Sequence, residues 1–135
     1  MNIHSESSIL PLELNGVSLT RGKRRLIKDI SCKFEPGGIT VILGPYGAGK
    51  RLLLRLCHGL LEPTSGQIIW RGAEGRNPSG FQAMVFQRPV MLRRSVRANI
   101  DFALSLRKYP SQIRRRRIDE VLNRCGLGQF SKTPA

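Results

Sequence analysis

Leu12, Leu14, Val17 and Leu19 punctuate a polar background across residues 12–19, the near-alternation of a strand with one face buried. Ile30, Cys32 and Phe34 alternate with Ser31 and Lys33 and predict a second strand, which stops at Glu35-Pro36-Gly37-Gly38, a turn by composition. Ile39-Thr40-Val41-Ile42-Leu43 is β-branched and nearly all apolar, so it predicts a strand buried on both faces. Residues 50–60 lack Pro and are dense in Leu, which predicts a helix with Gly59 near its end. Beyond it come a turn at Pro63-Thr64-Ser65-Gly66, a short strand over 67–70, a loop over 72–80 and a second buried strand over 82–86. Two helices are predicted over 95–106 and 111–125, with Pro110 between them. In the second, Ile118, Val121, Leu122 and Cys125 recur at i, i+3, i+4 and i+7, an apolar stripe opposite a run of arginines. Strands first and helices last, with a strand–loop–helix unit between, make a mixed α/β protein.

The length of 135 residues permits one domain with a modest core. Hydrophobic residues at 40 % and charged residues at 24 % exclude a disordered chain, and no apolar run approaches the length of a spanning helix. His4, Ser5 and Glu6 come early, with no basic start followed by an apolar block, so no secretory signal is expected. Cys32, Cys57 and Cys125 are odd in number and form no CxxC pair, which fits reduced thiols rather than a disulfide framework or a zinc site.

Charge changes the picture more. The net charge is +14, with clusters at Arg21-Gly22-Lys23-Arg24-Arg25 and at Arg114-Arg115-Arg116-Arg117. The basic residues are spread along the chain and neither cluster is interleaved with aromatics, as a stacking platform for single strands would be. Solvated faces are the first reading. A nucleic-acid surface and an acidic protein partner stand behind it.

The candidate chemistry lies between the apolar run and the leucine-rich helix. Gly44-Pro45-Tyr46-Gly47-Ala48-Gly49-Lys50 fits G-x-x-x-x-G-K, a phosphate-binding loop. Its glycines let several backbone N–H groups converge, the helix adds the positive end of its dipole, and the lysine supplies a cation for the outer phosphates. The next position departs from the pattern. Ser or Thr there offers a hydroxyl to Mg²⁺, whereas Arg51 has no oxygen at all. A guanidinium held about 4 Å from Mg²⁺ would be repelled by on the order of 8 kcal/mol at an effective dielectric of about 20. Impaired metal coordination is therefore expected.

The ordered motifs resemble the front half of an ABC transporter ATP-binding subunit, with a P-loop NTPase-like core. Leu14-Asn15-Gly16-Val17-Ser18, Asp29-Ile30-Ser31, the glycine loop, Leu61-Glu62-Pro63-Thr64-Ser65-Gly66, Met84-Val85-Phe86-Gln87 and Ser95-Val96-Arg97-Ala98-Asn99-Ile100 follow that family's order over about residues 9–130. Residues 86–95 look most like importers of oxyanions such as tungstate, molybdate or phosphate. The resemblance implies that Gly44, Pro45, Tyr46, Gly47, Ala48, Gly49, Lys50 and Arg51 form the ATP phosphate site. It implies that Gln87, at the Q-loop position, contacts Mg²⁺ and the attacking water. Arg21 stands where the family places an aromatic against adenine, and a guanidinium can stack on a base. Tyr46 reads as a spacer and His58 as structural. The implied partners are transmembrane permease subunits, a second ATP-binding subunit and a solute-binding protein, at the cytoplasmic face of the inner membrane.

Between residues 88 and 135 there is no signature loop resembling LSGGQ, no apolar strand ending in Asp-Glu and no switch histidine. A single, truncated domain is therefore expected, with no general base for water and Ile39 to Leu43 left as an unpaired edge. Two other readings remain: a non-catalytic nucleotide- or phosphate-binding remnant or regulator, and a basic nucleic-acid-binding module.

Overall fold

A computed structural model describes residues 8–135; His4, Ser5 and Glu6 lie outside the described residues. The chain divides into two compact units, one ending at Met84 and one running from Val85 to Ala135.

In the first unit, β1 (Leu12–Arg21) pairs antiparallel with both β2 (Arg24–Phe34) and β3 (Ser65–Trp70), giving the sheet order β2-β1-β3. Leu12 and Leu14 occupy even positions and Val17 and Leu19 odd ones, so a regular strand would turn them to opposite faces. The register shifts between Leu14 and Val17, where Gly16 adopts φ 60. This bulge absorbs one residue and returns all four side chains to one buried face. They pack with Ile27 of β2 and with Leu56 and Cys57 of α1 (Lys50–His58). Thr64 secures the entry to β3, its N–H donating to Ser18 O at 2.8 Å while its Oγ1 accepts from Thr20 N at 3.2 Å. β2 begins earlier than the alternation suggests, and Ser65 and Gly66 belong to β3 rather than to the preceding turn.

Two expected strands do not form. Residues 39–43 and 82–86 have no ladder, and Ile39, Val41 and Leu43 are 96 %, 69 % and 86 % exposed. A strand apolar on both faces is stable only between neighbours, and among the described residues the sheet is the antiparallel β2-β1-β3 alone. The expected burial of 39–43 is corrected accordingly. The loop of 72–80 contains 3-10 turns at Arg71–Ala73 and Pro78–Phe81.

The second unit holds α2 (Val96–Leu106) and α3 (Ser111–Arg124). Ser95 Oγ accepts the Ala98 N–H at 3.2 Å and caps α2. Ile118 and Leu122 of the expected stripe are buried, whereas Val121 and Cys125 are exposed. Residues 131–135 return to the start of α2, with Val96 N donating to Thr133 O and Arg97 N to Ser131 O, each at 3.0 Å.

Two measurements check this core. Gly66 has φ 85, and a Cβ there would stand 2.3 Å from Gly16 O on the facing strand. Gly66→Ala therefore costs about 2 kcal/mol, read as a lowered urea midpoint, and an unchanged midpoint contradicts the bulge geometry. Burial pushes the Cys57 thiol from 9.0 up to about 11, with Cys32 adding to the shift. A raised thiol pKa means that folding holds the proton, so this contribution is intact below about pH 9 and is lost between about pH 9 and 11. Cys57→Ala should flatten that alkaline decline in unfolding free energy.

Candidate nucleotide-binding site

The glycine loop is shaped by where it must land. Gly49 caps α1 in the left-handed region at φ 85, and its backbone lies directly on β2. A Cβ at Gly49 would come 2.7 Å from Ile27 Cδ1 and 3.2 Å from Leu26 O. Only glycine meets both demands. Gly47 is also left-handed at φ 83 and lies inside a turn closed by Ala48 N donating to Pro45 O at 3.2 Å. The first helical bond follows at once, Leu53 N to Gly49 O at 2.9 Å.

Lys50 folds back over this turn. Its Nζ donates to Gly44 O at 2.5 Å and to Pro45 O at 2.7 Å. The ammonium thus draws the carbonyls at the loop's start together and stands at its mouth. The first turn of α1 contains no acid, so the helix dipole, Lys50 and Arg51 all favour an anion there. Tyr46 is fully exposed within the loop. Arg51 is exposed on the first turn of α1. A triphosphate fits this set of donors. Among the described residues no group of three or more His, Cys, Asp or Glu could hold a metal ion.

Arg21 lies at the end of β1, opposite Arg24 across the hairpin. Ile27, which touches the Gly49 position, is three residues along β2 from Arg24, about 10 Å at the rise of a strand. The arginine is therefore on the hairpin end nearest the loop. Gln87 lies exposed in the second unit, at a bend immediately before Arg88. His58, at the end of α1, lines a solvent-open hollow of about 350 Å³ with Leu56, Leu61, Ile68 and Trp70.

The structure adds a residue whose role the sequence pattern left unassigned. Asn99 Oδ1 accepts Leu92 N at 2.9 Å, and Nδ2 donates to Leu92 O and Ser95 O, each at 3.1 Å. One side chain thereby ties the segment following Gln87 to α2. The signal for it was the asparagine one turn beyond the Ser95 cap.

Comparison with known proteins agrees with this geometry. Residues 27–135 match the model of the ABC transporter family. The chain is 36 % identical over 109 residues to a taurine import ATP-binding protein of Pelagibacter ubique, covering 80 % of this chain and 41 % of that protein. It is 37 % identical over 118 residues to a sulfate/thiosulfate import ATP-binding protein of Synechococcus elongatus, covering 82 % of this chain and 33 % of that protein. It thus spans well under half the length of these relatives. The solved structure of cbiO1 from Clostridium perfringens, part of the ABC transporter complex cbiONQ, superposes with a TM-score of 0.73 at 27 % identity, over 96 % of this chain and 55 % of that one. With a glycine loop seated on a sheet, a lysine at its mouth and a family match over most of its length, the chain belongs to the ABC transporter family and carries the P-loop NTPase fold of its ATP-binding domain.

Proposed function

We propose that this chain holds ATP as part of an ABC importer's ATP-binding subunit, binding the phosphates at Gly44, Pro45, Tyr46, Gly47, Ala48, Gly49 and Lys50. The observation that carries the reading is the Gly49 seat on β2 with Lys50 Nζ at the loop mouth. ATP enters with its phosphates taking Lys50 away from the Gly44 and Pro45 carbonyls. Arg21 then stacks on the base, and Arg51 adds positive charge to the phosphate site while disfavouring Mg²⁺. Gln87 stands at the Q-loop position, whose amide can both donate and accept and in that family would meet metal and water. Support for an importer comes from the names of the relatives. Support for an oxyanion solute is narrower: sulfate and sn-glycerol-3-phosphate, named for two relatives, are oxyanions and taurine, named for another, is a zwitterion with a sulfonate group, whereas a further relative is named for zinc import.

Within this reading the chain works at the cytoplasmic face of the inner membrane with permease subunits, a second ATP-binding subunit and a solute-binding protein. Among the described residues no helix is long and apolar enough to cross a membrane. These 135 residues do not turn ATP over by themselves. After Gln87 the sequence holds no apolar strand ending in Asp-Glu, and its carboxylates Asp101, Asp119 and Glu120 each stand beside an arginine. A non-catalytic nucleotide-binding regulator is the second reading, and the same pairing favours it.

Binding of a fluorescent ATP analogue should be as tight in EDTA as in Mg²⁺, and Lys50→Ala should weaken it by about 10- to 100-fold, the worth of one charged hydrogen bond. Arg51→Ser should restore a gain from Mg²⁺; a strong gain in the unaltered chain refutes the role given to Arg51. Phosphate release from ATP should stay at the buffer background, and turnover that disappears in Lys50→Ala would contradict the inert reading.

A further inference from the structure

The chain carries three thiols, Cys32, Cys57 and Cys125, and the phosphate site uses none of them. Two belong to the first unit. Cys57 is the penultimate residue of α1 and is buried in one cluster with Leu12, Leu14, Val17, Leu19 and Leu56. Cys32 is exposed on β2, an edge strand of the sheet. Cys125 is exposed in the second unit, at the end of α3.

The register of the sheet brings the first two thiols to the same side. Cys32 stands opposite Leu14, and residues that face each other across a ladder put their side chains on one face. Leu14 is 1 % exposed and belongs to the cluster that holds Cys57. Ile30 and Phe34, two positions before and after Cys32, pack against that cluster as well. Lys33 between them turns to the other face, where it reaches its ladder partner Glu13. Burial raises the Cys57 thiol, and a charge on Cys32 raises it further, a Coulombic effect that falls away with distance. One sulfur is thus open to water while the other lies behind it in the core.

The two cysteines also bracket the site. Residues 33–56, between them, contain the whole loop from Gly44 to Lys50. Gly49 already rests on β2 at the start of α1, and a bond between Cys57 and Cys32 would fix the other end of the helix to the same strand. Burial pushes the Cys32 thiol up too. Neither sulfur is an activated thiolate, so the pair responds slowly and to excess oxidant.

We propose that Cys32 and Cys57 form a reversible disulfide in the presence of a hydroperoxide, clasping the end of α1 to β2 and closing a covalent ring around the phosphate loop. The Cys32 thiolate attacks the peroxide. The O–O bond breaks, an S–O bond forms, and the hydroxide released takes up the Cys32 proton as water. The Cys57 sulfur then displaces the hydroxyl of this sulfenic acid. The S–O bond breaks, the S–S bond forms, and the hydroxyl leaves with the Cys57 proton as a second water. The two sulfurs together give up two electrons, and the peroxide accepts them. Neither step needs ATP, so the proposal stands apart from the nucleotide reading.

The test is oxidation of the folded full chain by limiting hydrogen peroxide, without nucleotide, followed by thiol counting and peptide mapping. Free thiols should fall from three to one per chain, with Cys125 the survivor and the Cys32 and Cys57 peptides joined within one chain. Dithiothreitol should return all three. In Cys57→Ala the sulfenic acid of Cys32 should persist and be trapped by dimedone. Cys32→Ser, a change at an exposed position, should leave Cys57 reduced. The bridged chain should unfold at a urea midpoint about 1 M above that of the reduced chain, because the ring restricts the unfolded state. Loss of Cys32 and Cys125 with Cys57 still free shows that exposure alone governs oxidation, and overturns the proposal. So does a urea midpoint that oxidation leaves unchanged or lowers, since the bridge would then not join groups already adjacent in the fold.

Discussion

The site depends on one close approach, the backbone of Gly49 resting against Leu26 and Ile27 of β2. No side chain fits in that contact, so loop and sheet meet as bare backbone on a β-branched side chain. The same residue is the left-handed cap from which α1 starts. A single position thus sets the direction of the helix, the depth of the loop and the place of Lys50. The bulged β1 strand serves that arrangement from below, because its four apolar residues, with Ile27, give Leu56 and Cys57 of α1 a face to pack on.

Much of this was legible in the sequence, for physical reasons that differ by element. The glycine loop was readable because its chemistry demands fixed residue types at fixed spacing. α2 and α3 were readable from Ser95, Pro110 and the 3.6-residue period. β1 was found, although the break in alternation at Asn15 and Gly16 carried a message that periodicity alone does not convey. The runs 39–43 and 82–86 were misjudged as buried. Their composition records the surroundings such segments suit, and composition cannot say whether the neighbours are at hand. Val121 and Cys125 are a milder case, since a stripe of four apolar positions is wider than what packs against it here.

Arg51 and the arginines of α3 show how local charge alters an inherited site. Beside the phosphate loop, an added guanidinium brings positive charge and no oxygen ligand. In the second unit, Arg97 of α2 and Arg114 and Arg116 of α3 each stand beside a carboxylate. Both changes leave the backbone scaffold as it is. Binding of the phosphates and chemistry on them are therefore separable properties, the first residing in main-chain shape and the second in oxygen-bearing side chains.

The Asn15–Gly16 bulge has a consequence for how this strand can change over generations. It acts as a counting device: the two halves of β1 are out of phase by one residue, and the irregularity cancels the difference. Removing a single codon there would exchange the inner and outer surfaces of one half, carrying Leu12 and Leu14 into water and Glu13 into the interior. Length variation at this point is thus confined to paired gains or losses, whereas point substitutions at the exposed Asn15 leave the parity intact.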